Sequence, residues 1–415
     1  MINSKSLLTA AISASALLFS ISGANAAGFY IQEQSVKGLG TAFAGSTTSI
    51  DDASTIYFNP AGMTKLDPRI QGNLGLHVLL PDADLKDNGS NNPLGLAVGD
   101  NPDNPYSASP VPNAFLAAPI NLGNTIFWAG VGVTAPFGLA SDYDDDSFVR
   151  FDSTETELTT INVSPSVAFA VNDKFSIGGG VDIQYADAEL KNQTGIGPAT
   201  ERESILEGDD ISVGYNLGFQ YRPIETTEIG VHYRSAISHE LDGNISLEGV
   251  FDESGSADLD LPDIATFGVA HDINNRFRVM GQATWFGWNN FQEIQAVRDD
   301  GVPVPNNIQN YQTTWAFAVG GEYDVNEDWT VRAGYQFDET PTTDEYRTTR
   351  TPDGDRNWFS AGATYKLNEK LSFDGALTYI DVAEGDIDVT RGVTNVIGTS
   401  DGSVGIVAVG LNYKF

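Results

Sequence analysis

"ISVGYNLGFQYR", residues 211–222, alternates along its whole length. Ile211, Val213, Tyr215, Leu217, Phe219 and Tyr221 are apolar or aromatic, whereas Ser212, Gly214, Asn216, Gly218, Gln220 and Arg222 are small or polar. A period of two puts successive side chains on opposite faces of a strand, so this strand has one oily face and one wet face. The fold turns on what the oily face touches, a protein core or lipid.

The pattern recurs. Phe175, Ile177, Val181, Ile183 and Tyr185 alternate with Ser176, Gly178, Gly180, Asp182 and Gln184; Val331, Ala333, Tyr335 and Phe337 alternate with Thr330, Arg332, Gly334 and Gln336. The chain ends on Val407, Val409, Leu411, Tyr413 and Phe415, with Ala408, Gly410, Asn412 and Lys414 between them. About fourteen such segments lie between Ile70 and Phe415, and no amphipathic helix is comparably clear. Their connections alternate too. Short turns stand at "VNDKF" (171–175), "RPIET" (222–226), "DINNR" (272–276), "VNEDW" (325–329) and "LNEKL" (367–371). Between them run long, mostly acidic stretches at 141–155, 191–210, 338–356 and 383–403. A soluble sandwich has no reason to keep step in this way. An outer-membrane barrel does, with tight periplasmic turns and long outer loops. The oily face is therefore expected to meet lipid and the wet face to line a lumen. Tyr221, Trp329, Trp358 and Tyr413 fall near strand ends, where interfacial aromatic girdles belong. The expected fold is all-β, a transmembrane antiparallel β-barrel of about fourteen strands over residues 69–415.

Composition narrows the function. Lys and Arg number 22 against 56 Asp and Glu, a formal charge of −34. Such a chain lacks the cations that nucleic-acid phosphates need and has no long-range pull on anionic substrates. There is no cysteine, hence no disulfide framework or thiolate metal site. At the N-terminus Lys5 precedes an apolar run from Leu7 to Ile21 and the small-residue end "SGANA", which reads as a secretory signal peptide over 1–26. The mature chain would begin at Ala27. Beyond this segment no apolar run reaches the roughly 20 residues of a membrane helix, which excludes a helical membrane protein.

Residues 27–68 break the alternation, yet Phe29, Leu39, Phe43, Ile56, Tyr57 and Phe58 make the stretch too apolar for a disordered leader. A plug, or hatch, folded inside the barrel is expected there. Within it stand "AGF", "GLGTAFAG", "DDAST" and "NPAGMTKLD"; further on come "PFGLASDYDD" (136–145), "WNNFQEIQ" (288–295) and "DRNWFSAGATY" (355–365). In these motifs, and over nearly the whole mature chain, the sequence resembles the FadL/TodX outer-membrane transporters of long-chain fatty acids and aromatic hydrocarbons. The resemblance implies a fourteen-stranded barrel with an N-terminal hatch. It places Asn59, Pro60 and Ala61 in the hatch motif and Phe29 against an internal ligand pocket. It also implies an inward kink of the third strand at Pro136, Phe137, Gly138 and Ala140, opening the wall laterally. Proline cannot donate to a ladder and glycine lets the backbone turn, so a bend there is physically reasonable. The loop 191–210 is shorter than in the family's fatty-acid importers, and no lumen-lining cation stands out, Lys191 being only a near neighbour and Arg298 a loop residue. Fatty acids and neutral hydrocarbons therefore both stay open as ligands.

Rival classes are weaker. A hydrolase would need a nucleophile and base in reach, and His77, His232, His239 and His271 sit in no such motif. By parity His232 faces the lumen, where a solvated polar role is expected. A general porin would not need the forty-odd hatch residues. Asp142, Asp144, Asp145 and Asp146 could attract Ca²⁺ but read as a solvated outer loop bridged to lipopolysaccharide. No catalytic residue, structural metal or cofactor is expected. The expected partners are a hydrophobic small molecule and outer-membrane lipid and lipopolysaccharide, with the protein a monomer in the outer membrane.

Overall fold

The computed structural model describes residues 28–95, 98–123, 125–195, 200–304 and 307–415. The signal peptide expected over 1–26 and the mature start at Ala27 lie outside them.

The strands form one closed antiparallel barrel of 14. They are β1 (Gln71–Asp87), β2 (Ser109–Leu122), β3 (Thr125–Thr134, resuming as Gly138–Asp142), β4 (Glu155–Asn172) and β5 (Phe175–Thr194). Then come β6 (Arg202–Ile224), β7 (Thr227–Arg234 and Ile237–Leu247), β8 (Phe251–Leu261 and Ile264–Asn274) and β9 (Phe277–Phe286). The last five are β10 (Thr314–Asp324), β11 (Trp329–Asp338), β12 (Arg356–Lys366), β13 (Leu371–Arg391) and β14 (Thr394–Lys414). Closure is by β1 on β14, in register from Gln71↔Lys414 to Asp87↔Gly398. A closed ladder leaves no edge, which is what lets a sheet cross a membrane without orphaned backbone groups. Among the described residues no helix is long and apolar enough to span one.

Alternation decides the faces. On β6 the odd residues Ile211 to Tyr221 are exposed outward, while Gly214, Asn216, Gly218 and Gln220 are buried inward. Tyr221, Trp329 and Tyr413 are outward and exposed, as girdle residues should be. Trp358 is not. It is 1% exposed and stands edge-on to Phe43 at 6.3 Å, because on β12 the outward phase belongs to Phe359.

Four of the short turns share a device. Asn172, Asn274, Asn326 and Asn368 each accept, through the side-chain oxygen, the backbone N–H groups two and three residues on, at 2.8–3.1 Å. Asparagine is favoured there because its side chain mimics a backbone turn. Two of the stretches expected to be long loops are mostly strand. β5 runs to Thr194 and β6 begins at Arg202; β13 and β14 are joined by Gly392 and Val393 alone. Their acids fall on the outward phase (Asp386, Asp388), while Ile387, Val389 and Val396 point into the mouth and are buried, so the hairpin continues beyond the lipid. The 338–356 stretch is no solvated loop either: Thr342, Arg347 to Thr351 and Asp353 are buried. Tyr143 Oη donates to Thr349 O at 2.7 Å, and Thr349 N–H to Asp152 at 2.7 Å, fastening this loop across the mouth.

The N-terminal segment is buried almost throughout from Gly28 to Met63. It contains two short helices, α1 (Val36–Leu39) and α2 (Thr55–Phe58), and a 3-10 turn at Pro60–Lys65. Ser35 caps α1 by accepting from Gly38 N–H at 3.2 Å. Ile31, Leu39, Phe43, Ile56, Phe58 and Met63 pack with Leu79, Phe115, Trp128 and Trp358 of the inner wall in one apolar core.

Candidate ligand cavity and wall break

Phe29 organises the upper half of the lumen. Its ring meets Trp288 at 4.8 Å, Phe291 at 5.3 Å, Phe137 at 6.1 Å and Tyr311 at 6.4 Å, the first three edge-on. Trp288 and Phe291 come from the "WNNFQEIQ" stretch, Phe137 from the break in β3. Above this box lies a cavity lined by Phe29, Leu139, Leu158, Leu206, Leu241 and Leu259 among others. It is apolar, and concave apolar space with a few polar groups is what small-molecule sites look like.

One of those polar groups is Arg350, carried into the lumen by the 338–356 loop. It is 6% exposed. Its Nη1 donates to Glu155 O at 3.1 Å and Thr156 Oγ1 at 3.0 Å, and its Nη2 to Lys191 O at 3.1 Å. All are neutral acceptors. No carboxylate comes within ion-pair distance among the described residues, and its Nε has no hydrogen-bond partner among them. Burial pulls the guanidinium down to about 10, so it remains a cation at neutral pH. Lys191 and Arg298, the cations the sequence suggested, are both taken: Lys191 by Glu155 and Glu189 at 2.6 and 2.7 Å, Arg298 by Asp300 at 2.8 Å. Arg350 was hidden by its surroundings in sequence, an acidic stretch that reads as a solvated loop.

The ladder of β3 is interrupted between Thr134 and Gly138. Thr134 pairs with Asn162 and Gly138 with Thr159, so four steps on β3 oppose three on β4, a bulge. Thr160 Oγ1 fills the breach, donating to Phe137 O at 2.7 Å and accepting Phe137 N–H at 2.9 Å. Towards β2, pairing stops at Val133↔Ala114, and the next link is Asp142 N–H to Pro105 O at 3.0 Å. The stretch between is backed from inside by the N-terminal segment. Ile31 N–H donates to Pro136 O at 2.8 Å, Gly138 N–H to Phe29 O at 2.9 Å, and Gln34 Nε2 to Ala135 O at 2.8 Å. Phe29, Pro136, Phe137 and Gly138 thus come together; Ala140 is half-buried further along β3.

Asn59, Pro60 and Ala61 lie away from the cavity, against β5 to β7. Asn59 Nδ2 donates to Thr47 O at 3.0 Å and Phe219 O at 3.1 Å, and Asn59 Oδ1 accepts Ala61 N–H at 3.2 Å. A Cβ at Gly218 would stand 2.1 Å from Asn59 Oδ1, and one at Gly178 2.6 Å from Ala61 N, so two wall glycines admit this motif. Beside it Arg234 bonds Asp182 at 2.5 Å and Tyr57 O at 3.0 Å. His232 faces inward as expected but is buried at 5% rather than solvated, because the N-terminal segment covers it. Asp142, Asp144, Asp145 and Asp146 are exposed; among the described residues the only acidic group close enough for a metal is Glu155, Glu157 and Glu189, where Lys191 already bridges two.

A closed antiparallel barrel with a lipid-facing belt and an apolar internal cavity is the architecture of an outer-membrane transporter. The chain belongs to the outer membrane protein transport protein (OMPP1/FadL/TodX) family, whose model matches residues 17–415. It is 28% identical to a long-chain fatty acid transport protein of Escherichia coli O6:H1, over 99% of both chains. It is 30% identical to a 47 kDa outer membrane protein of Pasteurella multocida, again over 99% of each. The crystal structure of a Pseudomonas aeruginosa FadL homologue superposes with a TM-score of 0.85 at 27% identity, covering 94% of this chain and 100% of that one. The Ralstonia pickettii toluene transporter TbuX shares the fold at a TM-score of 0.67 and 17% identity, covering 96% and 100%. The protein resides in the outer membrane.

Proposed function

We propose that this protein takes up hydrophobic molecules passively, and that its cavity holds an acyl chain whose carboxylate is received by Arg350. The observation that carries the reading is a buried cation with no carboxylate in direct contact, Asp152 acting on it only at longer range, at the edge of an apolar cavity. A buried charge is costly unless paired, so a ligand carboxylate would complete the site. The names of the relatives, fatty acid transport and toluene transport, support the two ligand classes; Arg350 favours the first. Residues 27–68 act as the hatch, anchored to the wall by Asn59 and Arg234. Release is sideways, between β2 and β3 at Pro136 to Ala140, once the Phe29–Gln34 segment withdraws from behind the breach.

Binding of palmitate and of hexadecane to the purified protein tests the reading. Arg350→Ala should weaken palmitate about tenfold or more, the worth of a charged hydrogen bond, and leave hexadecane unchanged. Equal effects on the two probes, or none, would overturn it.

A further inference from the structure

The wall has a second discontinuity, four strands round from the β3 break. β6 and β7 pair from Tyr221↔Ile229 to Asn216↔Arg234, and again from Asp209↔Asp242 to Ser204↔Leu247. Between these ladders six residues of β6, 210–215, face seven of β7, 235–241. The odd residue reverses the inside and outside of β7. His232 and Arg234 point inward below the seam; Ile237, His239 and Leu241 point inward above it, while Ser238 and Glu240 are exposed.

Ladder bonds are replaced by serines. Ser235 N–H donates to Tyr215 O at 2.9 Å, Tyr215 N–H to Ser235 Oγ at 3.0 Å, and Ser212 Oγ to Ser238 O at 2.7 Å. Outside this seam, Ile211 and Val213 are 65% and 64% exposed on the lipid face. Behind it, Ile237 lies over Gly214 so closely that a Cβ there would stand 2.7 Å from Ile237 Cγ1. Two strand repeats further up Leu241 lines the apolar cavity; between them His239 bonds Asp210 of β6 across the seam at 3.0 Å and Gln184 at 3.1 Å. A wall within lipid that gives up its ladder is weakened where every backbone bond counts. Here the weak line runs between an apolar outer face and the cavity, with Ile237 and the His239–Asp210 bond as the closure.

We propose that the β6–β7 seam is a lateral entrance, through which an uncharged apolar solute dissolved in the outer leaflet passes Ile237 and His239 into the cavity. The outer rim on the β7–β8 side carries Glu240, Asp242 and Asp258, all exposed, which repel an anion and leave a neutral solute as the fitting class. The inference rests on the cavity being a ligand site, as proposed above.

The absence of native cysteine makes cross-linking clean. Ser212→Cys with Ser238→Cys, joined by a short reducible cross-linker, pins the seam; Val269→Cys with Gly281→Cys pins an intact β8–β9 pair as control. Hexadecane dissolved in the membrane of proteoliposomes is the probe, with heat-modifiable gel mobility confirming a folded barrel in every sample. Cross-linking the seam should lower transfer severalfold, reversed by reductant, with the control unaffected; Ile237→Ala should raise transfer. Unchanged transfer in the pinned seam would overturn the entrance while leaving the cavity reading intact. No transfer by the parent protein would overturn the cavity reading itself.

Discussion

The backbone N–H of Gly138 donates to the carbonyl of Phe29 at 2.9 Å, so the break in the third strand and the start of the buried N-terminal segment are hydrogen-bonded to each other. Moving either away from the other breaks this bond. The same pair is bracketed by Ile31 on Pro136 and by the Tyr30↔Phe137 bridge, which makes Phe29 both part of the cavity and a strut behind the wall.

Phe29→Glu should therefore cost more than an aromatic contact. It puts an unpaired carboxylate among Trp288, Phe291 and Phe137, a burial that the site cannot compensate. Palmitate uptake should fall at equal surface abundance, and protease should reach the N-terminal segment faster. Normal uptake with normal protection would remove Phe29 from the site.

Gly138→Arg should obstruct release without unfolding the barrel. Gly138 is buried in the stretch of β3 that has no ladder with β2, where a long charged side chain should fill the break. Uptake should drop while heat-modifiable mobility is kept. Undiminished uptake by the folded variant would point instead to passage down the lumen.

Glu33 should give the buried N-terminal segment a pH dependence. The side chain is 1% exposed, and burial pushes its carboxyl up from the ordinary 4.5 to about 7. The folded state thus holds the proton more tightly than the unfolded one, so the stabilisation is fully present below pH 4.5 and is lost as pH rises through 7. The shift corresponds to roughly 3 kcal/mol. Protection of the N-terminal segment from protease should weaken between these limits, and Glu33→Gln should flatten the profile. A wild-type profile without slope would show that the carboxyl is not held in this state.

Removing residues 27–68 should leave an assembled barrel, because the strands close their own ladder. Ion conductance in planar bilayers should rise sharply. A deletion variant that assembles and conducts no more than the parent would mean these residues do not block the lumen.

The turn asparagines offer a test of barrel stability apart from transport. Asn326→Ala removes an acceptor for Asp328 and Trp329 N–H groups at a solvent-facing turn. Urea unfolding in lipid vesicles should show a loss of about 1 kcal/mol. An unchanged midpoint would assign the turn's geometry to the strands alone.

Alternation in "ISVGYNLGFQYR" and its repeats determined, without help, that the chain is a lipid-facing barrel. Side-chain phase on a strand is a local property, and the short turns mark its ends. The same local rule misplaced Trp358, since a single-residue shift of phase cannot be seen where aromatic residues stand side by side at 358 and 359. What only tertiary structure decided is what meets inside. Arg350 lies 321 residues from Phe29 in sequence, in a stretch whose composition resembles solvated loops, and reaches the cavity because Tyr143 and Asp152 fasten that loop across the mouth. The β6–β7 seam was equally hidden: each strand alternates well alone, and the offset exists only in their pairing. Faces follow from neighbours in sequence; cavities, seams and unpaired charges follow from long-range register, which no local pattern encodes.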